Sequence, residues 1–314
     1  MTVHIVGSIN LDIITSLERL PLPGETVLAR AAARLPGGKG ANQAVAAARM
    51  GAQARMIGAV GEGDAGRWMR DRLAAEGIDV SGIAVLEGRE TGTAYIAVDA
   101  RGENQIIVVS GANVLLSGVA PVSDGVLLSQ LEVPVPALLP VFAQSKAVRI
   151  LNTAPAVAGA RCLFDHVDIL VLNQPELALY TGGAGEGGAG ENGTLERARS
   201  LLTRPEQAVV VTLGAEGALA VQRDRHVHVP AVPVVPVDTV GAGDCFCGSL
   251  AALLDEGYCL TEALPKANAA AALSTLGQGA APSMPSRAAV EDLLSGAATE
   301  HAPPIKNPHA GVLS

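Results

Sequence analysis

The chain has 314 residues, a net charge of −9 and only four lysines, which argues against the basic stripe of a nucleic-acid-binding surface. Apolar residues make up 49% of it and aromatics only 2%, so a large core of closely packed helices and strands is expected rather than an aromatic binding face. No apolar run reaches the roughly 18 residues of a membrane span, the N-terminus lacks a signal-peptide pattern, and Cys162, Cys245, Cys247 and Cys259 do not make a disulfide framework; a reducing cytoplasm is the expected compartment.

Strands are predicted at 3–7, 55–60, 126–130, 148–152, 168–172, 208–213 and 218–222, and helices at 41–51, 64–76, 136–146, 194–203, 245–256 and 261–276. Their alternation implies an α/β fold with a mainly parallel sheet covered on both faces. Residues 12–35 and 91–110 break the rhythm with extended patterns around a hairpin-like Asp99-Ala100-Arg101-Gly102, and read as a small separate sheet. The glycine-rich stretch 182–193 reads as a flexible surface loop, and the proline-containing tail from His301 as poorly ordered.

In chain order, Asn10 and Asp12 follow the first strand and share a side if the chain stays extended. An amide and a carboxylate so placed can grip vicinal hydroxyls. Pro36-Gly37-Gly38-Lys39-Gly40-Ala41-Asn42 brings backbone, a cation and an amide towards a small ligand, and it is not a P-loop because no Ser or Thr follows Gly-Lys. Gly61-Glu62-Gly63-Asp64-Ala65-Gly66 has the spacing of a dinucleotide fingerprint, but Glu62 and Asp64 would repel a pyrophosphate. The preferred reading is a strand-to-helix turn with Asp64 as N-cap; a dinucleotide oxidoreductase is the distant alternative.

Glu132 stands at the end of a buried-looking strand, where ligands of open α/β sheets gather. Asn173-Gln174-Pro175-Glu176 follows another strand; Glu176 near phosphates would act through Mg²⁺ or its waters, or would merely start a helix. Thr212-Leu213-Gly214 ends a third strand and is a candidate nucleotide edge. His226-Val227-His228 reads as an exposed hairpin rather than a metal site, and Cys245-Phe246-Cys247 as core helix, with a lowered thiol pKa open for Cys245 at a helix start.

The most informative stretch is Asp238-Thr239-Val240-Gly241-Ala242-Gly243-Asp244, followed by an Ala/Leu-rich helix. Glycines let an anion approach the unpaired N–H groups of a helix N-terminus. An acid there is unsuited to holding phosphate but suited to taking a proton from whatever attacks it.

Together these motifs resemble the ribokinase-like family of carbohydrate kinases, also called the phosphofructokinase-B type. The likeness runs from Gly7-Ser8-Ile9-Asn10-Leu11-Asp12 to Gly279-Ala280-Ala281-Pro282-Ser283-Met284-Pro285, and includes Pro23-Gly24-Glu25-Thr26-Val27 and Gly111-Ala112-Asn113. It implies an α/β/α sandwich with a β lid that also forms a homodimer interface. The core would be 1–11, 38–90 and 112–300, the lid 12–37 and 91–111, and 301–314 a disordered tail.

It further implies an ATP-dependent sugar kinase, with O5 of D-ribose as the expected acceptor. Another sugar, a nucleoside, or a sugar sensor without catalysis are the alternatives. Sugar hydroxyls would meet Asn10, Asp12, Gly38, Lys39, Asn42 and Glu132. Asp244 would be the base, and the loop Gly241, Ala242, Gly243, Asp244 the anion hole. ATP would meet Asn173, Thr212, Gly214 and Asn268, with Glu176 acting on Mg²⁺. A K⁺ ion would take the Asp238 carboxylate, the Val240, Ser274, Gly277 and Gly279 carbonyls, and Ser283. Three departures from the family pattern stand out: a short segment between Asn113 and Val126, Thr153 in place of a proline, and an unusually alanine-rich stretch from Ala29 to Leu35.

Overall fold

The computed structural model describes residues 1–182 and 191–296. In chain order the strands are β1 (Thr2–Val6), β2 (Asn10–Ser16), β3 (Ala31–Gly37), β4 (Gln53–Gly61), β5 (Asp79–Leu86), β6 (Gly92–Val98), β7 (Asn104–Val109), β8 (Val126–Ser129), β9 (Val148–Asn152), β10 (Ile169–Asn173), β11 (Ala208–Thr212), β12 (Ala218–Val221) and β13 (His226–Val229). The helices are α1 (Lys39–Arg49), α2 (Asp64–Ala75), α3 (Val135–Gln144), α4 (Gln174–Tyr180), α5 (Glu191–Ser200), α6 (Ala242–Glu256), α7 (Leu260–Ser274), α8 (Ala280–Ser283) and α9 (Arg287–Leu294).

Nine strands form the main sheet in the order β13-β12-β11-β10-β9-β8-β1-β4-β5. Pairing is parallel from β11 through to β5 and antiparallel only at β11–β12 and β12–β13. Its central strands carry apolar residues on both faces, as a sheet covered on both sides requires. Val3, Ile5, Val126, Leu128, Ile150, Val171 and Val210 face one core, shared with α1, α6 and α7. Val6, Leu127, Leu151, Leu170, Leu172 and Val209 face the other, shared with α3, α4 and the 3-10 segment Ala158–His166.

From β1 the chain first builds β4 and β5 on one side, then returns to place β8 to β11 on the other. The order therefore reverses between β1 and β8. In open α/β sheets the crevice at such a switch point, at the carboxyl ends of the strands, is the ligand site.

The second sheet has the order β3-β2-β6-β7, with β2–β6 parallel and the other pairs antiparallel. It grows from the core at Asn10 and returns at Gly37, next to the switch point. All six residues of β7 are exposed, and Ile107 and Val109 share with Tyr95 an apolar face of this sheet, while Val108 lies on its other face.

Several expectations shift in detail. The Gly61–Gly66 turn is a tight strand-to-helix junction: a Cβ on Gly66 would lie 2.0 Å from Gly61 O. Its N-cap is Gly63, not Asp64, which opens the helix and pairs with Arg67. β5 is an edge strand that the hydropathy pattern does not announce, since only Ile83 in it is buried. Residues 191–193, placed in a loop by composition, begin α5; 183–190 and the tail 301–314 lie outside the described residues. His226 and His228 sit on an exposed antiparallel edge, as expected. Among the described residues no helix is long and apolar enough to cross a membrane.

Candidate active site

The site begins with a close approach of two helices. A Cβ on Gly248 in α6 would stand 2.3 Å from Gln43 O and 2.7 Å from Ala46 Cβ in α1, so only glycine lets α1 and α6 come together here. Asp244 is four residues before Gly248 and so shares its face. It meets α1 at two side chains: Asn42 Nδ2 donates to Asp244 Oδ2 at 3.0 Å, and Gln43 Nε2 donates to Asp244 Oδ1 at 3.0 Å.

Asp244 is buried, 7% exposed. Burial pushes its carboxyl pKa up, against the pull of the Lys39 charge and the two amide donors. The same pair raises Lys39, chiefly through the Asp244 charge. A buried carboxylate beside a lysine, at a helix start, has the features of a tuned acid–base group.

Gly241 precedes α6 with φ of 80°, and a Cβ there would collide with Ala280 Cβ at 2.5 Å. Cys245 N–H reaches Gly241 O at 2.8 Å, and Ala242 N–H makes a long bond of 3.3 Å to Thr239 O. The amides of Gly243 and Asp244 have no helical partner by position, and a Cβ on Gly243 would meet nothing within 4 Å. The loop is open towards an anion.

Facing Asp244 across the switch point are the candidate sugar residues. Asn10 Oδ1 accepts from Asn113 Nδ2 at 2.7 Å, and Asn113 also brackets the backbone of Ile9. Asp12 lies on β2 opposite Leu35 and Ala94. Burial, then the charges of Glu132 and Asp244, lift its carboxyl to about 7. Glu132 Oε2 accepts from Ser8 Oγ and, at 3.1 Å, from Lys39 N–H. Gly40 N–H donates to Ser8 Oγ at 3.3 Å. Gly38 has φ of 87°, and a Cβ would meet Asn10 N at 2.7 Å. Asn42 Oδ1 is buried without a partner, leaving an acceptor for a hydroxyl donor. A cavity of about 540 Å³ opens beside Ser8, Asn10, Asn113 and Glu132, with Val108 of the small sheet on its wall.

The candidate nucleotide residues lie along the same sheet edge. Asn173 and Thr212 are register partners at the carboxyl ends of β10 and β11. Asn173 and Glu176 form a capping box: Glu176 N–H donates to Asn173 Oδ1 at 2.8 Å, and Glu176 Oε2 accepts from Asn173 N–H at 3.0 Å. Thr153 Oγ1 adds a long bond of 3.4 Å to that oxygen. Gly214 turns with φ of 59°. Asn268 on α7 ties down the chain after β13, donating to Val229 O at 3.1 Å.

The candidate cation ligands also converge. Asp238 Oδ1 accepts from Val240 N–H at 3.0 Å, and Oδ2 from Gly279 N–H at 2.9 Å. Ser283 Oγ donates to Gly279 O at 2.6 Å, and a Cβ on Gly277 would lie 3.0 Å from Ser283 Cβ. Ser274, at the end of α7, is buried with its hydroxyl turned to Ala271 O at 2.8 Å. Arg49 braces the segment through Pro282 O and Met284 O at 3.2 and 2.7 Å while gripping Glu76. The donors are all oxygen, with a single carboxylate, a set that suits a weakly charged hard cation.

Three residues of this neighbourhood were not anticipated: Ser8, Gln43 and Gln130. Each is a polar residue beside apolar neighbours, and only its distant partner reveals it. The thiols behave unlike the expectation at a helix start. Burial raises Cys245 to about 12 and Cys247 further still, and Cys247 Sγ accepts from Asn152 Nδ2 at 3.0 Å.

This arrangement has close relatives. The chain is 37% identical over 302 residues to ribokinase of Bacillus subtilis, covering 93% of this chain and 98% of that protein. It is 34% identical over 303 residues to bifunctional ribokinase/ribose-5-phosphate isomerase A of Fructilactobacillus sanfranciscensis, covering 93% of this chain but only 56% of that protein. The structure of Arabidopsis thaliana ribokinase complexed with ribose and ATP superposes with a TM-score of 0.84 at 31% identity, over 93% of this chain and 98% of the other. Residues 2–287, nearly the whole described chain and every candidate group above, match the pfkB family of carbohydrate kinases, and the chain belongs to that family.

Proposed function

We propose that this protein transfers the γ-phosphoryl group of ATP to O5 of D-ribose, giving ribose 5-phosphate and ADP. One observation carries the reading: a buried Asp244, held by Asn42 and Gln43, stands at an open glycine loop on a helix start and across a crevice from Asn10, Asp12 and Glu132. The names of the relatives point to the same acceptor.

In this mechanism Asn10, Asp12, Gly38, Lys39, Asn42 and Glu132 hold the sugar so that its terminal hydroxyl faces Asp244. Asp244 accepts the hydroxyl proton as the oxygen attacks the γ-phosphorus. The bond from phosphorus to the bridging oxygen of ADP breaks, and ADP departs. The loop Gly241 to Asp244 receives the charge spread over the equatorial oxygens. Lys39 lies near enough to Asp244 to steady the same region. ATP lies over the ends of β10 and β11 against Asn173, Thr212, Gly214 and Asn268. Glu176, with one oxygen fixed by the capping box, would hold waters of a Mg²⁺ ion, which neutralises phosphate charge when bound. Asp238, Ser283 and the carbonyls of Val240, Ser274, Gly277 and Gly279 would hold K⁺, whose charge offsets Asp238 beside the phosphates.

The division into a core of 1–11, 38–90 and 112–300 and a lid of 12–37 and 91–111 belongs to this reading, the lid closing to exclude water. The exposed apolar strand β7 and Tyr95 support a homodimer joined through the lid. A soluble, cytoplasmic location suits four free thiols, of which Cys162 and Cys259 are exposed.

The test is an ATP-consumption screen across pentoses, hexoses and nucleosides, with K⁺, Na⁺ or a bulky organic cation at equal ionic strength. Ribose with K⁺ should give the highest kcat/KM. Turnover of another acceptor with ribose inert would overturn the substrate; equal rates in all three cations would overturn the K⁺ site.

A further inference from the structure

Behind the candidate base lies a buried chain of amides that the phosphoryl-transfer reading leaves unexplained. Gln43 and Gln130 are both 0% exposed. Gln130 Nε2 donates to Gln43 Oε1 at 2.7 Å, and Gln43 Nε2 donates to Asp244 Oδ1 at 3.0 Å. Gln130 directly follows β8, and its head is packed against Gly7, which follows β1: a Cβ on Gly7 would lie 2.1 Å from Gln130 Oε1. Two primary amides in an apolar sheet–helix junction are costly to bury, so their arrangement needs a cause.

The cause is polarity. An ionised carboxylate only accepts hydrogen bonds, so the end of Gln43 that faces it must be the NH₂ group. Its carbonyl then faces Gln130, which must answer with its own NH₂. The Gln130 carbonyl is left pointing at Gly7 with no partner among the described residues. Turned the other way, Gln43 would set oxygen against oxygen at Asp244 and NH₂ against NH₂ at Gln130. The chain of hydrogen bonds thus has one direction, and it is the direction that fits Asp244 in its charged form.

We propose that Gln43 and Gln130 are positioning residues: anchored at the sheet by Gln130, Gln43 fixes the orientation of the Asp244 carboxylate and keeps it ionised, ready to take the acceptor's proton. The proposal rests on Asp244 being the base. Around Asp244 the other charged or titratable groups are Lys39, which favours the anion, and Asp12 and Glu132, which disfavour it; Cys245 and Cys247 stay as thiols. Asn42 supplies the second donor but also borders the sugar. Gln43 and Gln130 act on Asp244 from behind.

The experiment is the pH profile of kcat at saturating sugar and ATP for the full chain, in wild type, Gln43→Met, Gln43→Glu, Gln130→Met and Asp244→Asn. Loss of a donor to the charged form raises the carboxyl pKa, so activity is lost at a higher pH. In Gln43→Met the acid limb should move up by about one pH unit, and the plateau at higher pH should fall as well, because the ionised carboxylate is no longer held in place. Gln43→Glu keeps the shape but adds a second carboxylate, and its limb should move further up. Gln130→Met frees Gln43 to turn and should give a smaller shift of the same sign, so it serves if the Gln43 variants fail to fold. A structural role alone would lower thermal stability or raise the sugar KM and leave the limb in place. Limbs within about 0.2 units of wild type in the folded variants overturn the proposal. If Asp244→Asn keeps more than half of kcat, the base assignment itself fails; if it is inactive while the limbs stay fixed, only the role of Gln43 and Gln130 fails.

Discussion

Leu35 of strand β3 in the small sheet lies directly against Gly279; a Cβ on Gly279 would stand 3.0 Å from Leu35 Cδ1. Gly279 has φ of 78°, and its N–H is held by Asp238 at 2.9 Å. One glycine therefore touches both the small sheet and the loop that precedes α6, the proposed lid and the approach to the proposed anion hole. Gly279→Ala should strain the backbone by about 1–2 kcal/mol and crowd Leu35. The K⁺ concentration for half-activation and the sugar KM should both rise, by roughly tenfold. K⁺ titrations at low and high sugar check this; a change in one constant alone would separate lid from cation loop.

Asp244→Asn keeps the shape of the site and removes its proton acceptor. kcat should fall by roughly 10²–10⁴-fold with sugar and ATP affinities nearly unchanged. Single-turnover kinetics and sugar calorimetry on the same preparation provide the measurement.

Gly37 has no room for a side chain: a Cβ would lie 2.1 Å from Asp12 Cγ and both carboxylate oxygens. Gly37→Ala must push Asp12 away from the sugar, where a lost or unpaired buried polar group costs about 1–3 kcal/mol. The sugar KM should rise by about 5- to 150-fold while the ATP KM stays within about twofold. Equal weakening of both would point to general damage.

Asp12 carries a carboxyl raised to about 7, so its charge changes across neutral pH. Sugar hydroxyls donate best to the ionised form. As pH falls below about 7 the ionised fraction drops towards tenfold per unit, and the sugar KM should rise in step. Above that pH it should level off. Asp12→Asn should give a weaker but pH-independent KM, measured between pH 5 and pH 8, a range set by that pKa.

Gly248→Ala forces a methyl group into a gap of 2.3–2.7 Å between α6 and α1. Overpacking of this kind costs about 1–3 kcal/mol. The helices should part, moving Asn42 and Gln43 from Asp244. Thermal unfolding should shift down, and kcat should fall more than ATP binding weakens.

The fold was readable because both cores write themselves onto alternate residues of short apolar strands, as in Val209, Val210 and Val211. β5 escaped because an edge strand with Asp79, Ser81 and Gly82 buries too little to show a period. The candidate residues that the sequence marks are those at strand ends or glycine turns, Asn10, Asp12, Glu132 and Asp244, and the fold brings them to one crevice. Ser8, Gln43 and Gln130 carry no such local mark. Gln43 meets Asp244 across 201 residues of chain and Gln130 across 87, and nothing in a single stretch encodes that meeting. The Cys245 thiol shows the opposite error, a helix-start argument outweighed by complete burial.

Asn10 and Asp12 belong to a strand of the small sheet, whereas Asn42 and Asp244 belong to helices of the large one. An acceptor that satisfies all four is also a bolt between two bodies of the molecule. Its own hydroxyls would then set how often the small sheet swings away, and amide hydrogens of β3 and β7 should exchange more slowly when it is present. A poor acceptor, missing one hydroxyl, would leave the small sheet less firmly tied even at saturation, so wasteful hydrolysis of ATP by water should be greatest with ligands that fill the crevice without bridging it.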